Sequence, residues 1–221
     1  MTLHALQLIS HPEQTWEEIR REEDQNGLHF LPHLLLLGLI PAVSLFIGNS
    51  YVGWSLVGEE RVRLDPVSAL QFSVLLYLAI LAGTAIMGWF VHWMSRTFEA
   101  RPSLQQCIGF IAYTLTPFLF LGLAGLYPNR WLAVAVLAVG LAHWTYLLFV
   151  GLPAFMRIRQ SPGFLYAVSV FSVGLLVLLS VLLTALLFWQ YQLRPNYERT
   201  GIDQGYPVRS ERPVEGPGGR D

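Results

Sequence analysis

The sequence predicts an all-α polytopic membrane protein. It reads as a bundle of five transmembrane helices, led by a short interfacial helix and followed by a disordered tail. Hydrophobic residues make up 53% of the 221 and charged residues 13%, against the roughly 25% charged residues of soluble domains. Mean hydropathy is +0.46. Several apolar runs each exceed the roughly 20 helical residues that cross a hydrocarbon core of about 30 Å. No Asp or Glu falls inside any of these runs.

The chain divides into an N-terminal cytoplasmic or interfacial segment (1–30), a transmembrane domain (31–193) and a tail (194–221). The first segment lacks the basic start and early apolar core of a signal peptide; its charged block, EEIRREED, is mostly acidic. Ser10 and Pro12 read as a helix start. Ile9, Trp16 and Ile19 would share one face of a helix over about Pro12 to Asp24, lying on the membrane with Trp16 as its interfacial anchor.

The first span covers roughly Leu31 to Val52 and carries Gly38 and Pro41, so a kink is expected. Tyr51 and Trp54 mark the interface at its end. The second covers Val67 to Met94, longer than one perpendicular crossing, and should tilt. In it Ala79 and Gly83, and Thr84 and Gly88, are small pairs four apart, a spacing that lets helices approach closely in lipid. Trp89 and Trp93 mark its far interface.

The third span, Gly109 to Pro128, is uncharged but the least lipid-like, with Tyr113, Thr114, Thr116 and Pro117 at its middle. Pro117 removes a backbone N–H and disturbs the carbonyl four residues back. In lipid those groups must be satisfied by neighbouring helices, hydroxyls or water, so this run is expected at the centre of the bundle. The short turn Tyr127 to Arg130 makes the fourth span, Trp131 to Phe155, its antiparallel neighbour. The fifth covers Phe164 to Tyr191. After Leu193 the chain turns to Pro195, Pro207, Pro213 and Pro217 with glycines and no apolar periodicity, the composition of a disordered tail.

With the N-terminus inside, inner segments hold Arg20, Arg21, Arg96, Arg101, Arg157 and Arg159, and outer loops hold Arg61, Arg63 and Arg130. That bias favours N-inside, although Arg194, Arg199 and Arg209 follow the last span on the outer side. The 14 basic residues are all Arg, and the net charge of −1 gives no broad basic surface for nucleic acid.

Little in the chain points to chemistry. A span without carboxylates argues against an ion or proton pathway built on them. His143 is the ionisable side chain nearest mid-membrane. It would either relay a proton or contact a substrate, or sit as a neutral imidazole hydrogen-bonded to Tyr113 or Thr116; the second reading is the simpler. Tyr113, Thr116, Pro117, His143 and Tyr146 form the candidate polar cluster. The histidines show no metalloprotease spacing, and no phosphate-binding glycine loop or nucleophile elbow is present. The single Cys107 excludes an internal disulfide and reads as a small packing residue. No catalytic residue, cofactor or metal is expected.

Several pieces in order resemble a family. They are His11 and Pro12 followed by Trp16 and Ile19; Ile40 and Pro41 with Phe46, Ile47 and Gly48; and Leu81, Ala82 and Gly83 through Met87 and Gly88. Then come Arg101, Pro102, Ser103 and Leu104; Tyr113 with Thr116 and Pro117; Leu126, Tyr127 and Pro128; and Tyr146, Leu147 and Leu148 leading to Gly151, Leu152 and Pro153. Together, over roughly residues 8 to 192, they resemble the bacterial inner-membrane branch of the Yip family, the YohC-like proteins. The resemblance implies a five-helix membrane domain with a cytoplasmic N-terminus and a periplasmic C-terminus in the bacterial inner membrane. Eukaryotic Yip proteins act in vesicle traffic and associate with Rab-type GTPases and with one another; they carry a longer N-terminal region, often with an Asp-Leu-Tyr-Gly-Pro motif. That motif is missing here, and Rab binding is not carried over.

The function expected is therefore that of a non-enzymatic membrane protein acting through helix-mediated association with itself or other membrane proteins. Its other partners would be membrane lipids. The alternative is a small transporter or channel with a polar path between the third and fourth spans. A weaker third reading is a lipid-binding or membrane-shaping role, with the N-terminal helix and Trp16 at the surface.

Overall fold

The computed structural model describes residues 15–16, 18–21, 30–55, 61–98, 100–191 and 198–200. The chain is an all-α polytopic membrane protein. Its helices are α1 (Phe30–Ile47), α2 (Pro66–Ser95), α3 (Leu104–Thr114), α4 (Thr116–Leu121), α5 (Arg130–Met156) and α6 (Gln160–Tyr191). A helical segment at residues 15–16 and 18–21 precedes them.

Three of these helices, α2, α3 and α5, start where side-chain chemistry supplies a cap. Asp65 accepts the Val67 N–H at 3.1 Å, with Pro66 at the first helical position. Asn129 accepts the Trp131 and Leu132 N–H groups at 2.9 and 3.3 Å. Ser103 and Gln106 form a reciprocal capping box at 2.8 and 3.2 Å, which satisfies two of the orphan donors of a helix N-terminus. That box corrects one expectation. The third span begins at Leu104, not Gly109, because Gln105 and Gln106 belong to its first turn and not to the preceding loop.

α1, α2, α5 and α6 are each long and apolar enough to cross a membrane. The third crossing is broken. α3 and the following stretch Thr116–Leu126 meet at 42°, next to Pro117. A bent pair of this kind either crosses or re-enters, and its neighbours decide. Gly109 lies against Phe30 at the start of α1, Gly122 against Pro41, and Gly125 against Leu45 and Gly48 near its end. The broken helix therefore runs beside α1 over its whole length, in the same direction, and crosses. With it the described residues hold five crossings.

The close approaches are made by glycines. A Cβ on Gly122 would lie 2.8 Å from Pro41 Cα, and one on Gly88 would lie 2.6 Å from Ile108 Cα. The two small pairs of α2 thus point different ways. Thr84 and Gly88 are buried inside the bundle, whereas Gly83 meets only Val177 Cγ1, at 3.6 Å.

The core lies towards one end of the bundle, called here the Trp16 end. There Trp16, Phe110, Phe155, Leu152 and Tyr166 are fully buried, Phe98 stacks on Tyr166 with ring centroids 4.8 Å apart, and the Tyr166 hydroxyl donates to the Val91 carbonyl. Towards the other end, the Tyr127 end, α5 and α6 carry exposed apolar residues. Trp131 is 71% exposed and Leu183 59%.

Two further expectations change. Trp16 was expected on the membrane surface, but its indole is 0% exposed. It packs 5.0 Å from the Phe110 ring and edge-on to Phe155 at 6.0 Å, in a socket that a Cβ on Gly151 would fill. The ring packs residues 15–16 and 18–21 onto the bundle, where its large apolar face is buried. The tail expected to be wholly disordered contributes a strand, β3 (Glu198–Thr200). It pairs antiparallel with β2 (Arg61–Arg63), which pairs in turn with β1 (Trp54–Ser55). This small sheet ties the segment after α6 to the loop between α1 and α2. The rest of the tail and residues 1–14 lie outside the described residues.

The unequal glycines give a test on one helix. Gly88→Val should destabilise by about 1–3 kcal/mol, the usual cost of overpacking, because a backbone atom opposes it. Gly83→Ala, whose new methyl meets only an ordinary contact, should stabilise by about 0.5–1 kcal/mol through helix propensity. Thermal unfolding of the purified protein in detergent measures both.

Candidate functional site

The break at Thr116 and Pro117 gathers the buried polar groups. Pro117 has no N–H to give the carbonyl four residues back, so the helix stops at Thr114 and restarts at Thr116. Leu115 N–H donates to Ile111 O at 3.1 Å, and the Thr114 hydroxyl donates to the same carbonyl at 2.8 Å. Thr116 is 2.9 Å, Oγ1 to Nε2, from His33 of α1. The His33 ring also lies 4.8 Å from that of Tyr113. His33, Tyr113, Thr114, Thr116 and Pro117 are all buried.

The candidate cluster therefore divides. Tyr113, Thr116 and Pro117 come together as expected, but against α1. His143 and Tyr146 belong to a different surface of α5: the two rings are 6.2 Å apart, Tyr146 is exposed, and His143 is half-buried. Among the described residues no hydrogen bond or ring contact joins either to Tyr113 or Thr116, and His143 Nε2 has no partner. The histidine expected to pair with Thr116 is His33, not His143.

Sequence reasoning missed His33 because it stands near the start of the first span. A signal was available. Phe30, His33, Leu34, Gly38 and Ala42 recur at three- and four-residue steps and form the buried face of α1, so an imidazole on that stripe points inward.

Five further Ser and Thr hydroxyls bond the backbone of their own helices. Thr84 donates to Ile80 O, Thr145 to Leu141 O, Ser169 to Leu165 O, Ser172 to Val168 O and Ser180 to Leu176 O, all between 2.7 and 3.0 Å. These hydroxyls are turned to their own backbones, so they do not build the polar path between the third and fourth spans that a transporter needs. Among the described residues no three His, Cys, Asp or Glu side chains gather to hold a metal. Cys107 is fully buried and its thiol is free.

The cluster's contacts join the broken helix to α1 and give the Thr114 and Thr116 hydroxyls partners at the interruption. Thr116→Val should destabilise by about 0.6–1.7 kcal/mol, the range measured for interhelical hydrogen bonds in lipid. His143→Ala should cost less than Thr116→Val, since no hydrogen bond is lost. Unfolding in mixed micelles, with a His33 and Thr116 double-mutant cycle, measures the coupling.

Comparison with known proteins agrees with this architecture. The Yip1 domain family matches residues 6–182. The chain is 36% identical over 191 residues to "Inner membrane protein YohC" of Escherichia coli strain K12, an alignment spanning 86% of this chain and 98% of that protein. The same figures hold for "Inner membrane protein YohC" of Escherichia coli O6:H1 strain CFT073. No solved structure matches significantly. With most of its length in the matched domain, and a bundle whose broken third crossing is sheathed by the first, the chain is an integral membrane protein of the Yip family.

Proposed function

We propose that this chain is a non-enzymatic protein of the bacterial inner membrane that works by helix-mediated association with a second copy of itself or with other membrane proteins. The names of its relatives support the membrane. The arginines at the Trp16 end support a cytoplasmic side there, which puts the start of the first crossing inside and the end of the fifth in the periplasm.

The observation that carries the association is a groove between α2 and α6. It has a volume of about 590 Å³ and is apolar; small residues, Ala79, Ala82 and Gly83 on one helix and Ser180, Thr184 and Ala185 on the other, line it among larger ones such as Phe72, Leu78 and Leu176. Apolar surface alone gives no drive between helices in lipid, because acyl chains are as apolar as leucine. Close packing does, and small residues permit it. A helix seated here would meet two backbones at short range.

Native mass spectrometry of the protein released from nanodiscs of its own membrane tests the reading. We expect a discrete oligomer or a defined membrane-protein complex. Ala82→Phe, at an exposed position in the groove, should abolish it while leaving the helical circular dichroism unchanged. A strictly monomeric protein with nothing co-purifying would sink the proposal.

A further inference from the structure

We propose that the cleft at the Trp16 end of α2 binds the headgroup of an anionic phospholipid, of the phosphatidylglycerol type. The cleft has a volume of about 760 Å³ and is lined by His92, Ser95, Arg96, Ala100, Arg101 and Pro102. It is the product of a corner. After α2 the chain makes one 3-10 turn, Arg96–Phe98, and residues 100–102 lead into the capping serine of α3. Ala100 N–H donates back to Ser95 O at 3.1 Å, and the His92 ring closes the corner with Nδ1 3.2 Å from Pro102 O. Buried Ala100, Pro102 and Ser95 form the fixed wall.

Its chemistry is that of an anion site. Two guanidiniums line it, and no carboxylate does among the described residues; Glu99 of the same corner lies outside them. Among the described residues neither Arg96 nor Arg101 has an ion-pair partner, and both are exposed. A carbonyl accepts only, so His92 Nδ1 is the donor to Pro102 and Nε2 of the neutral ring is an acceptor. The pairing fits a phosphodiester held by the two arginines, with a headgroup hydroxyl donating to Nε2.

Depth selects the lipid over other anions. Trp89 and Trp93 are each 58% exposed, and exposed tryptophans of membrane helices sit at the headgroup level. Arg96 follows Trp93 by three residues, about 4.5 Å along a helix at 1.5 Å per residue. The guanidiniums thus reach out at the level where phosphates lie.

The test uses the full-length protein in nanodiscs holding equal amounts of phosphatidylglycerol, phosphatidylethanolamine and phosphatidylcholine, and reads the retained lipid by native mass spectrometry. Phosphatidylglycerol should be retained preferentially. The paired variant Arg96→Gln with Arg101→Gln should lose about 25-fold, at about fivefold per arginine near a charged membrane surface. Arg130→Gln, at the other end, should change nothing. The pair Arg96→Lys with Arg101→Lys should hold the lipid within a few-fold, which separates lost charge from lost fold. Four results would each overturn the proposal: undiminished retention in the glutamine pair, an equal loss in Arg130→Gln, an equal loss in the lysine pair, or equal retention of a zwitterionic lipid. Displacement by an equal concentration of inorganic phosphate would assign the cleft to the free anion instead and overturn it as well.

Discussion

The constraint on which this structure depends is that backbone polar groups left open in hydrocarbon have no water to turn to. Each such group costs several kcal/mol. This chain opens a helix in mid-crossing, at Thr116 and Pro117, and the remaining architecture follows from covering that break. α1 lies along the broken crossing from Phe30 at Gly109 to Gly48 at Gly125 and supplies His33 to Thr116. The contact demands glycines, each of which costs about 1 kcal/mol in helix propensity relative to alanine. Four of them, Gly48, Gly109, Gly122 and Gly125, line it, a combined cost of about 4 kcal/mol by that figure, comparable to the several kcal/mol of one open backbone group. They let the first and third crossings lie side by side.

The remaining crossings pack unevenly. Near the Trp16 end, α2, α5 and α6 close around large rings, with Trp16 itself inserted at Gly151 and Arg20 lying over Phe155 at 5.1 Å. A second apolar cavity of about 270 Å³ lies beside the α2 and α6 groove, reaching Trp144 and Met87. The bundle presents two kinds of surface. One is polar, fixed and cationic; the other is apolar and able to accept a packed helix.

The fold was legible because length and composition carry it. Crossing number, the kink beside Pro117 and the short turn before Arg130 are local features. The register of the third crossing was less so, since Gln105 and Gln106 read as loop until Ser103 is seen to cap them. Trp16 was misplaced for a different reason. Aromatic residues beside a charged block ordinarily mark the interface, and the glycine that turns this one into a core residue lies far along the chain, at Gly151. A socket shared between distant segments has no local periodicity. The same holds for Thr116, whose partner proved to be His33. His143 stood nearer mid-membrane in sequence terms, and only the buried stripe of α1 distinguished the two. The strand at Glu198–Thr200 was hidden by a tail composition that signals disorder.

The central claim is that the broken helix crosses the membrane instead of turning back, and side-specific cysteine labelling tests it most directly. In a Cys107→Ala background, a cysteine at Gln105, exposed in the first turn of α3, and another at Tyr127, which is 56% exposed, report the two ends of the crossing. The account predicts that a membrane-impermeant maleimide added to intact cells labels one of them, and that it reaches the other only after the membrane is opened. Labelling of both from the same side would show a re-entrant loop and contradict the arrangement on which every other contact here depends.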